Sequence, residues 1–172
     1  ISFFNHVNVS DYSYFDNGKI QLTGGLNLIN GQFNLKNSQF KNSLAEDAIN
    51  LVNSKFVLKN LNISNVNSDA IDIDFGEGQI INSRFQKISG DAIDLSGSKI
   101  SIEDIVASNV ADKAISVGEE SILNIDNLKI SNSRIGIASK DSSKVEGKKI
   151  KISNCGLYDF AAYQKKSYFS GA

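Results

Sequence analysis

Apolar and polar residues alternate one by one along most of the chain, as in "AIDID", "KISIE" and "FVLKN". That is the period of β-strands, whose successive side chains face opposite sides of a sheet. No window places apolar residues three and four apart over about ten positions, so helices are not expected. Ile, Val and Phe dominate the periodic positions, while Gly, Asn, Ser and Asp fill the gaps between them. Proline is absent, so no strand position lacks a ladder donor.

The strands recur. "DAINLV", "DAIDID" and "DAIDLS" start at Asp47, Asp69 and Asp91, and "DKAISV" starts at Asp112. Their alanines, Ala48, Ala70, Ala92 and Ala114, stand 22 residues apart, and one more step reaches Gly136 in "RIGIAS". Backwards, "LNLINGQFNLKNSQFKN" from Leu26 matches "INLVNSKFVLKNLNISN" from Ile49 at a step of 23. A fixed period in this range marks a stacked architecture in which no unit buries its own apolar face. Each unit reads as three short strands and three corners, and it does not divide into hexapeptides. Parallel crossovers are right-handed by default. The predicted fold is therefore all-β: a right-handed parallel β-helix of about six coils of about 22 residues, with three parallel sheets. One domain is expected over 1–172, with an N-terminal coil or cap at 1–25, regular repeats at 26–154 and a C-terminal cap at 155–172. The aromatic residues of both ends are expected to plug the open core, because a bare solenoid end is an aggregation template.

Superposing the units gives columns. Phe40, Ile63, Phe85, Ala107, Ile130 and Ile152 form one, and Ile49, Ile71, Ile93, Ile115 and Ile137 another. Both suit a closed interior between parallel strands. A third column, Asn42, Asn65, Lys87, Asn109, Asn132 and Asn154, predicts a structural ladder of amides at a corner, interrupted only by Lys87. Cys155 shares a column with Val66, Ile88, Val110 and Ser133 and is expected to be a buried, inert thiol.

Charge changes the picture on one face. If Ile71 and Ile73 point inward, Asp72 and Asp74 point outward, as do Asn50 and Asp94 on the neighbouring coils. Coils stack about 4.8 Å apart. Unit charges about 4 Å apart repel by roughly 1 kcal/mol in water and roughly 4 kcal/mol at an effective dielectric near 20. Such a group calls for a bound cation, raised pKa values or lysines folded over it. Asp72, Asp74 and Asp94 are the candidate catalytic residues, and Asn50, Asp72, Asp74, Asp94 and Glu119 the candidate binding residues. The leading Asp47, Asp69 and Asp91 have the parity of the inward isoleucines but leave a corner, where a carboxylate accepts backbone N–H bonds. Their expected role is structural.

With a net charge of −1 and no basic cluster interleaved with aromatics, nucleic acid is not an expected partner. No stretch reaches the length of a membrane span. The chain opens at Ile1 without a signal sequence and reads as a segment of something longer.

The phrases "NSDAIDID", "GDAIDLSGS" and "DKAISVGE", with the coil length, resemble the right-handed parallel β-helix superfamily that includes pectate lyases, polygalacturonases and alginate epimerases. "AEDAINLVNSKF", followed by "SDAIDIDF" and "GDAIDLSGS", is similar to β-helix repeats of bacterial surface proteins. This resemblance implies an extracellular or cell-surface location and a polysaccharide or a neighbouring domain as partner. A pectate-lyase-like site implies calcium, which Asp72, Asp74 and Asp94 match in chemistry; no cofactor is required by the sequence. A polygalacturonase-like site implies phrases resembling "NTD", "DD", "GHG" and "RIK". Here "NSD" at Asn67–Asp69 is a partial echo, no two aspartates are adjacent, and Lys113 and Ala114 stand where a histidine phrase is needed. His6 is the only histidine, and Arg84 falls on a different sheet from the aspartates. The expected function is a non-catalytic extracellular module, contacting polysaccharide or serving as a rigid or adhesive spacer. The alternative is a polysaccharide lyase, glycoside hydrolase or epimerase using the acidic face. A regular threonine face is impossible with Thr23 alone, and nonapeptide calcium repeats are missing.

Overall fold

A computed structural model describes all residues, 1–172, as an all-β chain without a helix. Its ladders are parallel, except for a small hairpin between Phe15–Asp16 and Gln21–Leu22. Three stacks run along one axis. Sheet one contains Ser2–Asn5, then 32–36, 55–59, Glu77–Ile81, 99–103, 122–126 and 144–148. Sheet two contains Asn8–Tyr12, then 39–43, 62–66, Arg84–Ile88, 106–110, 129–133 and 151–153. Sheet three contains Gly24–Ile29, Asp47–Val52, Asp69–Asp74, Ile93–Ser96, 113–118, 135–140 and Tyr158–Tyr163. The expected solenoid of three parallel sheets, repeating about every 22 residues, is the observed one.

The register is that of the sequence columns. Phe40 pairs with Ile63, Ile63 with Phe85, Phe85 with Ala107, and Ala107 with Ile130. Ile49, Ile71, Ile93 and Ile115 are all fully buried, within one contiguous apolar core of 33 residues. Burying an Ile or Phe side chain contributes roughly 1.5–3 kcal/mol before chain entropy is set against it.

What turns the chain is a left-handed residue at each corner. Every non-glycine residue of positive φ falls in one of three corner columns. The first, between sheets one and two, is His6, Asn37, Asn60, Asn82, Asp104, Asn127 and Lys149. The second, leaving sheet two, is Asp11, Asn42, Asn65, Lys87, Asn109, Asn132 and Asn154. The third, between sheets three and one, holds Asn30, Asn53, Phe75, the pair Glu119 and Glu120, and the pair Asp141 and Ser142. Asparagine tolerates this conformation better than most residues because its short polar side chain bonds locally.

The amides also bond along the axis. In the second column the Asn65 Nδ2 donates to Asn42 Oδ1 (3.1 Å), Asn132 to Asn109 (3.2 Å) and Asn154 to Asn132 (3.3 Å), as the ladder reading requires. The first column carries a ladder that the sequence columns did not include: Asn60 to Asn37 (2.7 Å) and Asn82 to Asn60 (2.8 Å), with Asn37 donating in turn to Asn5, the residue before His6 (2.8 Å). Steps of 22 and 23 coexist because the extra residue sits in a corner. Leu44–Ala45–Glu46 replaces the two-residue Asn67–Ser68, and Glu119–Glu120 replaces Gly97, so the strands keep their register. Buried serines close the third corner: Ser98 Oγ lies 2.9 Å from the Ser96 carbonyl and 3.0 Å from that of Ile73, and accepts the Gly76 N–H at 2.9 Å.

At the N-terminal end Tyr12 packs edge-on against Phe40. Other terminal aromatics expected as plugs, among them Phe3, Phe15, Phe160 and Tyr168, stay exposed. The last residues are tied down by Asp141 Oδ1, which accepts the N–H groups of Lys165 (2.6 Å) and Lys166 (2.8 Å).

Lys87 is the gap in the second ladder, with φ at 57° and no amide to offer. Lys87→Asn is expected to raise the thermal midpoint by about 2–4 °C, the shift that about 1 kcal/mol produces in a domain of this size. An unchanged or lowered midpoint in a melting experiment would show that the amide ladder adds nothing at this corner.

Candidate acidic face of sheet three

The repeated phrase builds this face. Alternation breaks where each strand of sheet three begins: Ala48 and Ile49, Ala70 and Ile71, and Ala92 and Ile93 are all fully buried although adjacent. The ladder skips the alanine, pairing Asp47 with Asp69 and then Ile49 with Ile71. The skipped step carries the leading aspartates to the side of Asp72 and Asp94, whereas strict parity from Ile71 places them inside.

Three columns of polar groups result. Asp47, Asp69 and Asp91 lead to Lys113; Asn50, Asp72 and Asp94 lead to Ser116; Val52, Asp74 and Ser96 lead to Gly118. The carboxylate oxygens of Asp69, Asp91 and Asp94 lie within 4.8 Å of one another. Of the expected grouping of Asp72, Asp74 and Asp94, Asp72 and Asp94 are neighbours in one column and Asp74 lies in the next. Glu119 sits at the third corner, paired with Lys166 and near enough to act on Asp74.

Asp69 and Asp91 hold the coils together. Asp69 Oδ1 accepts the N–H of Asp91 at 2.6 Å, and Asp91 Oδ1 accepts that of Lys113 at 2.8 Å. Asp94 Oδ1 accepts the Leu95 N–H at 3.0 Å. Asp47 is buried, and Asn50 Nδ2 donates to Thr23 Oγ1 at 2.7 Å while its Oδ1, buried on the same face, has no partner.

Positive charge arrives only from the C-terminal coils. Lys113 Nζ lies 3.0 Å from Asp91 and also meets Asp112, which Arg134 approaches at 3.5 Å. Lys140 is nearly buried; its Nζ donates to Ser116 Oγ at 2.7 Å and stands 3.9 Å from Asp94. Gly118 leaves the space that this side chain crosses, since a Cβ there would stand 3.3 Å from Lys140 Cε. Asp47, Asp72 and Asp74 have no basic partner at ion-pair distance.

The electrostatics follow. Burial, then the surrounding carboxylates, raise Asp72 to about 8. Burial raises Asp47, Asp69 and Asp91 to about 6, against a hydroxyl bond from Thr23 at Asp47, a backbone bond at Asp69, and Lys113 at Asp91. Asp74 is raised by burial and by Glu119 and Asp94. Burial would lower the Lys113 ammonium, but Asp112 and Asp91 outweigh it and hold it above the ordinary range. Retained protons and folded-over lysines are thus both found on this face. At neutral pH Asp72 offers an acidic proton. His6 lies in the first corner column of the first coil, and Arg84 on sheet two.

Calcium binds through about 6–8 oxygen ligands. Around the trio, one oxygen each of Asp69 and Asp91 already accepts a backbone N–H, and two ammonium groups stand at 3.0 and 3.9 Å. This donor set fits calcium poorly. Cys155 is half-buried, its Sγ 3.3 Å from Ser133 Oγ, and burial raises its pKa.

Residues 47–168, more than two-thirds of the chain, match a family model described as "Right handed beta helix region". No curated protein and no solved structure matches the chain.

Unfolded aspartates release their protons near about pH 3.9, whereas the folded Asp47, Asp69 and Asp91 hold theirs to about 6 and Asp72 to about 8. Between these values the native state binds more protons than the unfolded state, so stability falls as pH rises. The thermal midpoint is expected to drop between about pH 4 and about pH 8. In calcium-free buffer near the top of that range, Asp72→Asn combined with Asp94→Asn is expected to raise the midpoint by about 2–4 °C and flatten the profile. A strongly destabilised double variant would instead make these carboxylates indispensable bond acceptors.

Proposed function

The chain belongs to the right-handed β-helix family, and from that membership we propose that it is a non-catalytic, rigid module that contacts polysaccharide outside the cell or at its surface. One observation carries the reading: the carboxylates nearest Asp94 serve the stacking itself. Asp69 and Asp91 each hold an N–H of the following coil, at 2.6 and 2.8 Å. Lys113 and Lys140 supply positive charge there from the chain itself, 3.0 Å from Asp91 and 3.9 Å from Asp94. The Asp69–Asp91–Asp94 end of the face thus acts as a joint between coils. A continuous core of 33 residues makes the solenoid one stiff body, suited to presenting a surface at a fixed distance from its neighbours.

The enzymatic alternative draws on a different fact. Asp72 keeps its proton to about 8 beside Asp94 in the same column. A protonated carboxyl next to a second carboxyl is the pairing used for general acid catalysis in glycoside hydrolysis.

A panel of acidic and neutral polysaccharides, with and without calcium, separates the two. The expected result is retention of the protein by at least one glycan, with no new reducing ends or unsaturated ends and no effect of calcium. Product formation that disappears in Asp72→Asn would replace the module by the enzyme.

A further inference from the structure

Sheet two presents a face of the opposite character to the acidic one. Phe40, Ile63, Phe85, Ala107 and Ile130 are buried on its inner side, and the residues flanking each of them point out. Two outward rows result, one from Gln39 to Lys151 and one from Lys41 to Ser153. Four side chains of these rows are basic, Lys41, Arg84, Lys129 and Lys151, and none is acidic. All four are exposed, and no carboxylate stands at ion-pair distance from any of them. Acidic and basic residues nearly balance over the whole chain, so charge is segregated by sheet.

Lys129 lies over Lys151 in register, on coils about 4.8 Å apart. On sheet three the stacked aspartates are answered from within the chain, by backbone N–H groups and by lysines of later coils. On sheet two nothing within the chain answers. The rim carboxylates Asp11 and Asp104 accept from the corner amides of Asn42 and Asn127, while Lys87 adds a fifth exposed cation at the second corner. The compensating charge has to come from outside.

Its layout suits a plane better than a thread. Lys41 lies in one row, Arg84, Lys129 and Lys151 in the other, and Lys87 at the rim. From the coil of Lys41 to that of Lys151 is five steps, about 24 Å, and a strand of five residues is about 16 Å long. A flat anionic surface meets all five cations at once, whereas a linear polyanion following one row meets three. The residues between them are short, Ser64, Ser108 and Ser131 among them, so the long basic side chains reach furthest from the sheet. Val106, half-buried, is the one apolar side chain in the two rows, which leaves no wedge for a bilayer interior.

We propose that sheet two seats flat on the headgroups of an anionic lipid surface, with Lys41, Arg84, Lys87, Lys129 and Lys151 as its contacts. This contact is separate from the polysaccharide contact proposed above, and either can fail alone. Its attraction is electrostatic, reaching about 10 Å at 0.1 M salt and less as salt is added. Each cation near such a surface raises partitioning about fivefold.

The test is co-sedimentation with vesicles of phosphatidylglycerol and phosphatidylcholine in equal parts, against vesicles of phosphatidylcholine alone. The wild-type chain is compared with Arg84→Gln combined with Lys129→Gln. Lys55→Gln combined with Lys99→Gln, on the exposed strands of sheet one, is the control of equal net charge. All these side chains are exposed, so equal melting curves are expected for the three proteins. Wild type should bind only the anionic vesicles and release them as salt is raised, with partitioning about 25-fold weaker in the sheet-two variant and nearly unchanged in the control. Equal weakening in both variants would show that net charge alone acts, and would overturn the face. Absence of wild-type binding to the anionic vesicles would overturn the proposal outright. Tighter binding to duplex nucleic acid or to an acidic glycan than to the vesicles would assign the face to a linear polyanion and overturn the choice of lipid.

Discussion

A closed coil of three strands must change direction three times within about 22 residues, and each change rests on one residue in the left-handed region. For most L-residues that conformation costs roughly 1–2 kcal/mol. Asparagine lessens the cost, and stacking converts the concession into a gain, because the amide of one corner then lies within bonding distance of the amide below. Corner geometry and axial bonding are therefore one interaction. Where asparagine is replaced, the column continues with other residues: Asp104 accepts from Asn127 at 2.5 Å, and Asp11 ends the second ladder by accepting from Asn42 at 2.8 Å.

Superposition in register has a less comfortable result on sheet three. A repeat that places isoleucine over isoleucine also places aspartate over aspartate, and the low-dielectric flank of the core magnifies the repulsion. The chain answers with what successive coils supply. Backbone N–H groups satisfy Asp69 and Asp91, lysines from the next coils reach back to Asp91 and Asp94, and Asp72 keeps a proton. Compensation is directional, stronger toward the C-terminal end, because lysine enters the leading column only at Lys113. The unpartnered Asn50 Oδ1 lies on the uncompensated side of that gradient.

The periodic part of this architecture was legible from residues alone. Phe40 to Ile152 and Ile49 to Ile137 identified the core columns, and Asn42 to Asn154 one corner, because identical chemistry recurs at a constant step. The first corner escaped notice although Asn37, Asn60, Asn82 and Asn127 stand five residues before the second at every coil. That constant offset was the available signal. The makeup of the acidic trio was not legible, since it depends on the skipped ladder step at Ala70 and Ala92. A period of two assigns Asp69 and Asp91 to the interior; only the adjacency of two buried residues, Ala then Ile, reveals the half-step. The reach of Lys140 to Ser116 and Asp94, over the bare backbone of Gly118, needs three coils in place before it can be seen.

Bends where the chain carries an extra residue, Leu44–Glu46 and Glu119–Glu120 among them, leave the strands on either side undisturbed. Length is thus uncoupled from alignment at these bends. A solenoid so constructed can lengthen there without altering its interior, and new loops would emerge at the rim of sheet three, beside its carboxylates. Diversification of such a scaffold has an obvious point of departure: the bends can change while the coils that carry them remain the same.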